Sequence, residues 1–153
     1  MNTQEFKEFC HNLFLKYGFT KVKNMYYLNC SELLCGIYLR RSIAMAYYVD
    51  VCFFIGEYSD KKAYPSFRTS DFQINFTVPS KCEDCTGNYF MDGCIEFERY
   101  SQEEIEPYFI DTIEKYIIPL IKKGKKYVLE NKDVYLKGVF ERDMETVLNK
   151  LNA

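Results

Sequence analysis

The chain reads as an α+β protein, an antiparallel sheet of about five strands with N-terminal and C-terminal helices packed on one face. Three observations predict it. Apolar residues recur at helical spacing near both ends and at a spacing of two between them. The connectors between the alternating segments are short enough to join neighbouring antiparallel strands. The 153 residues are 48% hydrophobic and 27% charged, which excludes a disordered chain. A chain of this size buries about 69% of its surface on folding, enough for one core without disulfides or metal. A single domain over 1–153 is therefore expected.

Taken in order, Phe6, Phe9, Cys10, Leu13, Phe14 and Tyr17 form one stripe of a first helix. Thr3 is its expected N-cap, and Gly18 is the residue that ends it in a left-handed conformation. Residues 21–28 predict a first strand, 33–41 a second and 46–56 a third. The third has Tyr47, Val49, Val51, Phe53 and Ile55 on one face and Tyr48, Asp50, Cys52 and Phe54 on the other, which places it centrally. In 70–78, Phe72, Ile74, Phe76 and Val78 alternate with Gln73, Asn75 and Thr77, the mark of a strand between core and water. A last strand over 89–98 buries Ile95 and Phe97 and leaves Glu96 and Glu98 side by side outside. Residues 29–32, 42–45 and 58–66 are the connectors.

Ser101-Gln102-Glu103-Glu104 is a capping box. It opens a helix whose apolar face runs from Ile105 to Ile121, with Pro119 expected to kink its last turns. Leu136, Val139, Phe140, Met144, Val147, Leu148 and Leu151 give the tail helical spacing. Gly138 interrupts it, and 133–140 reads equally as a short extended piece.

Charge excludes more than it assigns. Twenty basic and twenty-two acidic residues leave a net charge of −2, so no general affinity for nucleic acid or anionic membrane is expected. No glycine-rich phosphate loop, dinucleotide fingerprint, zinc-protease helix or nucleophile elbow occurs. Residues 1–16 lack the basic-then-apolar order of a secretory leader, and the longest apolar stretch is far too short to cross a bilayer. Seven cysteines, an odd number, suit a reducing compartment. The expected location is the cytoplasm. The 14 Tyr, 13 Phe and absence of Trp, with abundant Lys, Ile and Asn, resemble the usage of genomes poor in G and C.

Several segments in a fixed order carry a further likeness. These are Tyr17-Gly18-Phe19 after the first helix, Tyr26-Tyr27, Ile37-Tyr38-Leu39-Arg40-Arg41-Ser42, Tyr47-Tyr48-Val49-Asp50-Val51 and Ile117-Ile118-Pro119-Leu120-Ile121. Their succession resembles the bacterial domain of unknown function 4304 family across residues 6–129. The resemblance implies the same small α+β fold and brings no catalytic residues, none being established for that family. The lack of Trp, the 82–94 segment and the tail after Asn131 depart from it.

Two places carry chemistry. The first is Cys82-Glu83-Asp84-Cys85 with Cys94 nine residues on. Two thiolates at that spacing chelate zinc at about 2.3 Å, with Cys94 as third ligand and Cys30, Cys35 or His11 as fourth. A redox pair and a loop of inert thiols are the other readings. The second is the sheet face opposite the helices, where Tyr38, Arg40, Tyr48, Asp50 and Asn75 project. Tyr and Arg anchor protein interfaces, so this face or a sheet edge is expected to bind a protein partner or a second copy, without catalysis and without a cofactor. His11, the single histidine, is expected on the exposed side of the first helix. The Lys122, Lys123, Lys125, Lys126 cluster is expected to complement a helix C-terminus. A small-ligand pocket between the sheet and the helix near Pro119 is a third possibility.

Overall fold

The computed structural model describes residues 1–42, 45–79, 81 and 94–153. Six strands form one antiparallel sheet: β1 (Thr20–Val22), β2 (Met25–Asn29), β3 (Leu33–Arg41), β4 (Tyr47–Ile55), β5 (Phe72–Asn75) and β6 (Cys94–Ile95). They lie in the order β1-β2-β3-β4-β5, and β6 also pairs with β4. Because β3 runs along the whole of one edge of β4, β5 and β6 share the other, β5 against residues 50–53 and β6 against 47–48.

Three strand expectations are corrected. Residues 21–28 are a hairpin, because Lys23 takes a left-handed φ of 58° and turns the chain so that Val22 faces Met25. The segment 70–78 is paired only over β5, although the Phe76 N–H still donates to the Val49 carbonyl at 3.1 Å. In 89–98 the described ladder is two residues long. The chain then tightens into the 3-10 turn Phe97–Arg99, which buries Phe97 and turns Glu96 onto Arg99. The two glutamates are therefore not neighbours on a strand face, and residues 89–93 lie outside the described ones.

Helix α1 (Thr3–Lys16) is capped by Asn2, whose Oδ1 accepts the Glu5 N–H at 2.8 Å, so Thr3 is the first helical residue. Gly18 ends it at φ 93°. Helix α2 (Gln102–Thr112) has the expected capping box. It runs into a π-turn, Ile113–Ile117, where the Ile118 N–H reaches back five residues to the Ile113 carbonyl, and then into α3 (Ile118–Lys123). Pro119 cannot donate to the preceding turn, and the Tyr135 hydroxyl donates to the nearby Tyr116 carbonyl at 2.6 Å. After Gly124 come α4 (Lys125–Glu130), α5 (Lys132–Tyr135) and α6 (Glu141–Asn152). Thus 133–140 is helix as far as Tyr135 and turn beyond, and Phe140 is left 67% exposed.

The helices cover one face of the sheet. Phe6 and Phe14 of α1, Phe109 of α2 and Phe76 meet ring to ring above Val49, Val51 and Phe53. The opposite face is half covered. Met25, Tyr27, Leu34, Cys52 and Phe54 are buried there beneath Tyr58, Tyr64 and Phe67 of the β4–β5 connection. The 58–66 connector is therefore part of a cover rather than a simple link. Beneath the cover, Gly36 makes room for its neighbours on β2, since a Cβ there would lie 2.8 Å from Met25 Cε and 3.3 Å from the Tyr27 ring. Among the described residues no helix is long and apolar enough to cross a membrane.

Candidate functional site

Strand alternation sends Tyr48 and Asp50 of β4 away from the helices, and the register sets their neighbours. Tyr38 and Asn75 stand either side of Asp50, and Arg40 stands opposite Tyr48. All five predicted residues thus share one face. Asp50 is its centre: 5% exposed, with Oδ2 accepting from Arg40 Nε at 3.1 Å and Oδ1 from Asn75 Nδ2 at 3.2 Å. The Arg40 guanidinium carbon lies 4.2 Å from the centre of the Tyr48 ring, a cation–π contact. Arg40 keeps 47% of its side chain in water, so the pair orients the guanidinium more than it stabilises the fold.

Tyr38 stacks on Phe67 with centroids 4.3 Å apart and planes 9° from parallel. It therefore marks the border where the aromatic cover ends and the polar half of the face begins. Phe67 escapes a reading of strand alternation because it lies in a loop. The run Lys61-Lys62-Ala63-Tyr64-Pro65-Ser66-Phe67-Arg68, cations interleaved with rings, was the signal that could have found it.

The thiols divide by burial. Cys10, Cys35 and Cys52 are buried and unpaired, and loss of hydration pushes each thiol up. Cys52 is pushed up to about 12, by burial first and the Asp50 charge second, against a lowering hydrogen bond from Ser70. Such thiols are inert as nucleophiles. Cys30 is tied to Leu33, its Sγ donating to the carbonyl at 3.0 Å. Cys82 and Cys85 lie outside the described residues, and Cys94 stands opposite Tyr48 on the polar face. Among the described residues no three His, Cys, Asp or Glu side chains gather where a metal ion would fit.

His11 differs from its expected exposure. It is half-buried, its Nδ1 2.9 Å from the Tyr26 hydroxyl. Three of the four clustered lysines are engaged: Lys123 over the Tyr127 ring at 4.9 Å, Lys125 with Glu32 at 4.0 Å, and Lys126 with Glu130 at 3.8 Å. Beside Pro119, Ile117 and Leu120 are fully buried.

Fold and face together define an antiparallel α+β protein with helices on one side and a polar, Tyr- and Arg-bearing patch on the other. Comparisons with family models, with curated proteins and with solved structures find no match. The likeness in motif order rests on the quoted residues alone.

Proposed function

We propose that the protein is a non-catalytic binding module of the cytoplasm that holds a protein partner, or a second copy of itself, on the open half of the sheet face. The observation that supports this is the buried Asp50 carboxylate, which pins Arg40 over Tyr48 from below. An Arg and a Tyr held in place before contact lose little freedom on binding, and such residues carry most of the energy of protein interfaces. Tyr38 and Asn75 flank them, and the free thiols of Cys10, Cys35 and Cys52 suit a reducing compartment.

Native mass spectrometry and light scattering of untagged protein from its own host test the reading. A dimer or a co-purifying polypeptide is expected, with Arg40→Ala and Tyr48→Ala each weakening the association at least about tenfold. Retention of every association by the folded double variant would sink the assignment. The same spectra show whether the Cys82, Cys85 and Cys94 segment carries a zinc-sized mass that alkylation removes.

A further inference from the structure

The β4–β5 connection does more than cover apolar surface. With the β1–β2 turn it walls a cleft of about 680 Å³ at which Lys23, Lys61, Lys62 and Arg68 stand and no Asp or Glu does. None of the four forms an ion pair among the described residues. The whole chain carries a net charge of −2, so this excess of cations is local and does not follow from composition. Four rings also line the cleft, beside Val22, Asn24, Met25 and Ser66: Tyr38 is stacked on Phe67, and Tyr27 lies against Tyr64 with centroids 4.8 Å apart.

Lys23 adds a third, independent observation. Its φ of 58° is left-handed, a conformation that Gly or Asn adopts with less strain than Lys. A strained residue at the lip of a cleft points to a use for its side chain. Four cations call for a polyanion, since a single carboxylate would leave most of them without a counter-charge. The ring wall calls for a flat apolar body, and the volume suits a small ligand.

We propose that this cleft binds a nucleoside di- or triphosphate, the phosphates on Lys23, Lys61, Lys62 and Arg68 and the base along the Tyr38–Phe67 wall. Arg68 grips phosphate oxygens through paired N–H donors, and the lysines act as point charges. The grip comes from side chains, so it needs none of the glycine-rich loops that the sequence lacks.

Calorimetry on the full chain with ATP, inorganic triphosphate and adenosine tests the assignment. ATP is expected to bind, less tightly as salt is raised, with triphosphate and adenosine each at least about tenfold weaker. Lys62→Ala and Arg68→Ala should each cost about tenfold in ATP affinity. Lys23→Asn should move two readouts in opposite directions, raising the thermal midpoint of the ligand-free protein while weakening ATP. Arg40→Ala with Tyr48→Ala should leave ATP binding unchanged, which separates this site from the protein-binding face. No heat from ATP, equal affinity for triphosphate, or full ATP affinity in Lys23→Asn would overturn the proposal. Tighter binding of a short oligodeoxyadenylate than of ATP would also overturn it, in favour of single-stranded nucleic acid.

Discussion

A carboxylate with 5% of its surface in water needs partners, and Asp50 has Arg40 on one oxygen and Asn75 on the other. Cys52, two residues along the same face of β4, is held up at about 12 by its burial first and by that charge second. Cys10 and Cys35, on the helix side, are pushed up by burial first, and Cys35 also by its neighbours Cys52 and Cys30. At neutral pH all three are protonated and sterically shut away, so a thiol-directed reagent should not find them. Titration with Ellman's reagent is expected to show Cys10, Cys35 and Cys52 silent in the native protein and reactive once guanidinium unfolds it. Rapid native modification of Cys52 would mean that the cover over the second sheet face opens easily.

Among the elements, Gly124 between α3 and α4 is a joint that tolerates little. Its φ of 70° and ψ of −154° lie in a region that only glycine visits freely, and a Cβ there would fall 2.2 Å from Glu32 Oε1. Gly124→Ala should destabilise by about 1–3 kcal/mol in urea unfolding, from the backbone strain alone. The same substitution on a Glu32→Ala background removes the clash but keeps the dihedral, so most of the loss should persist. A full rescue would assign the cost to Glu32 instead. Elements like β3 and β4 were legible because alternation over nine residues leaves one register that buries Leu33, Cys35 and Ile37 together with Val49, Val51 and Phe53. That same alternation placed Tyr38, Arg40, Tyr48, Asp50 and Asn75 on one face before any coordinates. The β1–β2 turn was not legible, since Lys23 adopts a glycine-like conformation without glycine to announce it. The cover was legible only in part: the 61–68 run interleaves cations with rings, but what Tyr58, Tyr64 and Phe67 cover is set by Met25, Tyr27 and Phe54 in distant strands.

Across the whole molecule the groups held above their ordinary range lie on both sides of the sheet. Tyr26 and Tyr135 join Cys10 and Cys35 in the main core, and Tyr27 and Cys52 lie beneath the cover. Burial is the first cause in each case, raising the thiols from 9.0 and the phenols from 10.0. The folded state therefore keeps protons that the unfolded chain gives up first as pH rises. The stability these groups contribute is complete below pH 9.0, the unfolded thiol value. It declines above that and is lost for Cys52 by about 12. While a group is protonated folded and ionised unfolded, it steepens the decline by up to about 1.4 kcal/mol per pH unit. With thiols and phenols acting together, the urea midpoint followed by circular dichroism should stay near level from neutral pH to about 9 and then fall steeply. A midpoint that stayed level well above pH 10 would show that these side chains reach water in the folded protein, and that neither the helix layer nor the loop cover seals the sheet.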